Sequence, residues 1–129
     1  VIWKILVQIV WGFPQTLAGA VLLAYNWATG KIVAPPRWVG HGFQTCVGKH
    51  WGGISLGLFS FRDGASLLDD NTIRHEDGHS VQSIMFGPAY LIIVGIPSLR
   101  NALDKNLVGD DYYTVWPENQ ADKLGGVKR

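Results

Sequence analysis

Three residues on one turn of chain, His75, Glu76 and His79, carry the chemistry that this sequence offers most plainly. Histidines four apart fall on the same face of an α-helix, so His75 and His79 can aim imidazole nitrogens at one metal ion. Zinc suits such a pair, because it accepts neutral imidazole and keeps an open position for water. Glu76 projects beside them. It can take a proton from a water activated by the metal and pass it to a leaving amine. Gly78 sits inside the motif and costs about 1 kcal/mol of helix stability against alanine. Two hydrogen-bonded helical histidines give no reason for that glycine, whereas close packing beside a metal site does.

Two imidazoles need a third ligand. Asp69 and Asp70 precede the motif and are better placed to cap the helix that carries it. Glu118 is the stronger candidate, because Glu118-Asn119-Gln120-Ala121-Asp122 sets two carboxylates four apart on one helical face. Glu118 can bind the metal while Asp122 accepts the outward N–H of a ligand histidine. Ala121 is small enough to let the two helices approach closely. Gln82, seven residues after His75, can hydrogen-bond a ligand or a substrate. Tyr112 and Tyr113 precede Glu118 and offer donors to a developing oxyanion, Tyr113 foremost. Asp77 places a second carboxylate next to Glu76, where it could perturb the base. His41 and His50 flank a glycine-rich turn and read as surface histidines.

The elements that must position these residues follow from the pattern of the chain. A helix is expected from about Asn71 to Phe86, with Gly87-Pro88 interrupting it. Ala89 to Ile96 is strongly apolar, and Pro97 ends or kinks it. Residues 100–111 read as a polar loop. Trp116-Pro117 starts a last short helix that Gly125-Gly126 stops. Before the motif, glycines recur between short apolar and aromatic runs. Pro35-Pro36 marks a turn, and Lys31 to Ala34 and Ile54 to Phe61 read as strands of a small antiparallel sheet. The second of these could pair with an extended peptide.

Ile5 to Tyr25 is 21 residues without a formal charge, the length a helix needs to cross a bilayer, with Trp3, Tyr25 and Trp27 placed for its interfaces. Pro14 would kink it, and Gln8 and Gln15 require partners. A signal sequence is the rival reading, although the apolar run exceeds the usual core of such segments. Ser80 to Leu99 is a second uncharged stretch, of 20 residues. It cannot cross fully if Glu118 is a ligand, because the charged chain after Arg100 cannot return through lipid. Two broken helical pieces are expected there instead, buried in the domain or dipping into one leaflet. The totals agree with a membrane setting: charged residues are 16%, Trp numbers six and mean hydropathy is positive. A net charge of +1 gives no footprint for nucleic acid. The single Cys46 forms no internal disulfide.

The paired motifs H-E-x-x-H and E-x-x-A-D resemble those of gluzincin metallopeptidases, most nearly the membrane-embedded HtpX-like and CAAX prenyl protease-like ones. A wider likeness from Trp51 to Val127 is to small uncharacterised bacterial membrane-associated proteins carrying H-E-x-G-H-x-x-Q. The resemblance implies one Zn2+ on His75, His79 and Glu118, Glu76 as catalytic base and Asp122 in support, and it supplies no substrate. The expected reaction is metal-assisted hydrolysis of an amide bond in a peptide or protein, with the chain placed in a bacterial inner membrane. The expected fold is α+β, with a membrane-anchoring helix over 1–27 and a metallopeptidase-like domain over 28–129. That domain would hold a small antiparallel sheet, a zincin-like helix pair and the broken apolar segment. Two rival readings remain: a zinc amidohydrolase that does not act on peptides, and a membrane zinc module whose metal only holds the fold.

Overall fold

A computed structural model describes residues 1–48, 53–67, 69–107 and 109–129. The carrier of the motif is helix α3, Asp70–Phe86. Asp69 caps its start, accepting from Asn71 N–H at 3.2 Å and from the Thr72 hydroxyl at 2.8 Å. Gly87 ends it with φ of 55°, and the indole of Trp11 occupies the place a Cβ would take there. The last helix, α5, spans Glu118–Gly125 and stops at the left-handed Gly126.

Helices α3 and α5 cross with backbone against backbone. A Cβ on Gly78 would lie 1.8 Å from the Ala121 carbonyl oxygen, and one on Gly125 would lie 1.8 Å from that of Arg74. Both glycines are therefore required by contact distance, Gly78 in the packing role read from the sequence and Gly125 in one beyond the helix stop expected of it.

Four strands form one mixed sheet in the order β1-β2-β4-β3. They are β1, Ile32–Val39; β2, Gly42–Val47; β3, Gly53–Leu56; and β4, Phe59–Asp63. The expectation of a purely antiparallel sheet is corrected here, because β2 and β4 run parallel. Strand β4 buries Ser60, Phe61 and Arg62 while β3 buries only Ser55, so the strand with more to hide takes the interior place. Ile54 to Phe61 is a hairpin rather than one strand, turned at Gly57 with φ of 66°. Strand β1 runs on through Pro35-Pro36, which the sequence marks as a turn. It is an edge strand, and its register shifts between Ala34 and Arg37 absorb the missing donors.

The uncharged N-terminal stretch is two helices, α1 at Ile2–Val10 and α2 at Phe13–Ala28, bent by 101°. Pro14 sits in the first turn of α2, where its ring and missing N–H prevent the preceding helix from continuing. Ser80 to Leu99 is likewise broken. Helix α3 gives way to a 3-10 turn at Gly87–Ala89 and a π-helical turn at Leu91–Gly95, and then to α4, Ile96–Leu103, with Pro97 in its first turn. Residues read as a polar loop thus begin inside a helix and continue into a 3-10 turn at Gly109–Thr114.

Replacing Gly78 with alanine should lower the unfolding midpoint, although alanine is the better helix former. Forcing a methyl group into the α3–α5 contact is expected to cost about 1–3 kcal/mol, which a thermal melt against wild type will read. A neutral or stabilising result would mean that the helices do not meet there.

Candidate metal centre

His75, His79 and Glu118 converge in the interior, each less than one-tenth exposed, with one ligand atom from each lying within 4.8 Å of the other two. This buried group could bind a metal ion. Each imidazole is oriented from behind. His75 Nδ1 donates to Asp122 Oδ1 at 2.7 Å, and His79 Nδ1 donates to Gln82 Oε1 at 2.7 Å. Both Nε2 atoms are thereby left for the centre, the arrangement a metal-ligating histidine needs. Gln82 is fixed in turn by donating to Pro117 O and Gln120 Oε1. It therefore contacts His79, one of the residues that could hold a metal.

Glu118 is wholly buried and held by two donors from α4, Ser98 Oγ at 2.7 Å and Asn101 Nδ2 at 2.8 Å. Its Oε1 lies 3.2 Å from His79 Nε2. Burial alone would raise the Glu118 pKa, but the bonds from His79, Asn101 and Ser98 outweigh it and hold the carboxyl below its usual value. Burial likewise pulls His79 down, and the Glu118 and Glu76 carboxylates more than reverse it. His75, by contrast, falls to about 4, through burial first and then through the neighbouring His79. It is neutral at pH 7, as a ligand must be.

Glu76 is buried against β3, where a Cβ on Gly53 would meet its Oε1 at 2.6 Å. Among the described residues its Oε2 has no hydrogen-bond partner. Burial raises its pKa to about 7. An orphaned buried carboxylate oxygen beside three convergent ligands fits a centre that takes a metal and water. A cavity of about 310 Å³ reaches His75 and Glu76, bounded among others by Gly53, Thr72, Asn101, Tyr112 and Tyr113. Both tyrosines keep their protons more firmly than usual, chiefly through burial.

Asp77 does not crowd the base. It turns to the β1–β2 turn, accepting from His41 N–H at 2.9 Å and lying 3.1 Å from His41 Nδ1. His41 thus ties the sheet to α3, a role the sequence did not suggest. His50 lies outside the described residues. Sequence reasoning also missed Ser98 and Asn101, whose spacing of three places them on one helical face, and Arg129. The Arg129 guanidinium grips Asp122 through Nε at 2.7 Å and Nη2 at 3.2 Å while lying 3.3 Å over the Tyr113 ring. The Tyr113 ring in turn meets the His75 ring edge-on.

Compared with known protein families, with curated proteins and with solved structures, the chain finds no match.

Two outcomes follow from these contacts. Asp122→Ala should weaken zinc affinity about 10–100-fold in a competition titration. Arg129→Ala, which loosens Asp122 without removing it, should cost less. In the metal-free protein, Glu76→Gln should stabilise the fold. A raised folded-state pKa makes ionisation costly as pH climbs from the ordinary 4.5 towards 7. The gain should therefore be fullest above pH 7, on the order of 3 kcal/mol, and should shrink towards pH 5. Denaturant unfolding of both proteins at pH 8 and pH 5 checks the sign.

Proposed function

We propose that this chain is a zinc-dependent hydrolase, and that its reaction is the cleavage of peptide bonds at the centre formed by His75, His79 and Glu118. The observation that carries the reading is the buried, unpartnered Oε2 of Glu76 beside that group. Two imidazoles and a carboxylate also suit iron(II). A carboxylate base set on the same helix turn is what water-driven hydrolysis needs, and this favours zinc. Zinc bound there would polarise a substrate carbonyl and acidify the water that it holds.

The remaining work falls to the chain's own side chains. Glu76, on the same helix turn as His75 and His79 and buried beside them, is placed to accept a proton from water and return it to the leaving amine. Tyr112 and Tyr113, at the cavity wall, stay protonated and can donate to the carbonyl oxygen as negative charge develops on it. Asp122 and Gln82 hold the two imidazoles in the tautomer that presents Nε2. Ser98 and Asn101 keep Glu118 ionised and aimed.

The test joins metal content to turnover. Purified wild type should hold one zinc per chain, Glu118→Ala should lose it, and Glu76→Gln should keep it. Against a peptide library, Glu76→Gln should fall about 10²–10⁴-fold in kcat with metal retained. Turnover of small amides without peptides would identify an amidohydrolase instead. Tightly held zinc with no turnover of either would leave a structural metal module. Wild type that takes up no zinc after reloading would overturn the proposal.

A further inference from the structure

Helices α1 and α2 are inside out. Their polar residues are buried: Gln8 and Gln15 are 0% exposed, whereas Val10 is 76% and Val21 62% exposed. Gln8 donates to His41 O and Ser80 O, and Gln15 donates to Ser83 Oγ and Gly87 O. The outward face of α2 is a stripe at helical spacing, Phe13, Leu17, Val21 and Tyr25. The π-helical turn and α4 repeat the pattern. Ser98 and Asn101 point inward to Glu118, while Ile92, Ile96, Leu99 and Leu103 are all more than half exposed. Three helices of one small chain thus present apolar residues outward, where a protein surrounded by water would place polar ones.

The dimensions exclude a simple span by either N-terminal helix. At 1.5 Å per residue, the 9 residues of α1 reach about 13 Å and the 16 of α2 about 24 Å. A bilayer core is about 30 Å thick. The 101° bend prevents the two from adding end to end. The β3–β4 turn also packs on α2: Thr16 Oγ1 accepts from Leu58 N–H, and a Cβ on Gly19 would lie 2.8 Å from Leu56 O. Spanning by α2 would carry sheet backbone into lipid, which is costly. Charge points the same way. The first 62 residues hold five basic and no acidic side chains, so all ten acidic residues follow Asp63 or include it. Lys4, Lys31 and Arg100 stand at the ends of the uncharged stretches, and Trp3, Tyr25 and Trp27 are exposed near the first two.

We propose that the outward faces of α1, α2 and α4 form a docking surface for one leaflet of an anionic phospholipid bilayer, entered from one side and not crossed. The apolar stripes bury into the acyl boundary, the aromatic residues lie at headgroup level, and the basic residues meet lipid phosphate. The surface is independent of the metal, so its failure and that of the hydrolase reading are separable.

The experiment is flotation of the purified chain with vesicles of phosphatidylcholine, alone or with phosphatidylglycerol, zinc content being measured in the same samples. The chain should float with both, and more strongly with phosphatidylglycerol at low salt. Leu17→Glu combined with Leu99→Glu should reduce partitioning roughly tenfold or more with unchanged melting and metal content, since both positions are exposed. With Cys46 replaced by alanine, cysteines placed singly at Val1 and Thr29 should both react with an impermeant thiol reagent when the chain is added to preformed vesicles. A position protected until detergent is added would show spanning and overturn the proposal. So would a chain that stays off vesicles, whether as a soluble monomer or as a dimer closed over these faces.

Discussion

The close crossing of α3 and α5 is the constraint from which the rest of the site follows. The two histidines of the candidate centre and their carboxylate partners lie on different helices, 39 residues apart from His79 to Glu118. A separation set by ordinary side chains, 8–10 Å between axes, suits a core but leaves a carboxylate too far from the imidazole that it must orient. Gly78, Ala121 and Gly125 remove the intervening side chains. Asp122 then reaches His75, and Glu118 reaches His79, without either acid leaving its own helix. The helix-weakening glycine inside the motif is thus a term in the geometry of the centre.

Burying that centre creates a second requirement. Two histidines and two glutamates lie buried together, and each polar atom needs a partner. Gln82 serves His79, Ser98 and Asn101 serve Glu118, and Asp122 with Arg129 serves His75. The exception is Glu76 Oε2, the atom on which hydrolysis would turn. Supplying Glu118 from α4 also decides which way α4 faces. With Ser98 and Asn101 turned inward, its leucines and isoleucines have only the outside left to them.

The site was more legible than the fold, for a physical reason. Ligand spacing within one helix is local, so His75, His79, Glu118 and Asp122 could be placed from intervals of four alone, and the structure brings these residues together. Asp77, which looked troublesome beside Glu76, was misjudged because its partner His41 is 36 residues away on a turn. Sheet order is likewise non-local. Nothing in Gly53–Leu56 or Phe59–Asp63 announces that β4 will pair in parallel with β2, since that depends on which strand has more surface to hide. Pro35-Pro36 misled because proline is excluded from central strands but tolerated at an edge, and sequence alone does not say which strand is at the edge.

The N-terminal glutamines show how one observation can be read twice. In the sequence, Gln8 and Gln15 weaken a membrane reading, because amides in lipid need partners. In the fold both amide nitrogens have them, reaching the backbone or side chains of the segment from Ser80 to Gly87, and Ser83 Oγ donates back to Gln8 Oε1, while Gln15 Oε1 has no partner among the described residues. An environment that competes poorly for hydrogen bonds makes such contacts useful for association, since outward leucines gain little by turning inward when the surroundings are as apolar as they are. The polar residues then become the adhesive side of the helix. On that logic the amides that argued against a membrane are what fasten α1 and α2 to the helix bearing the centre.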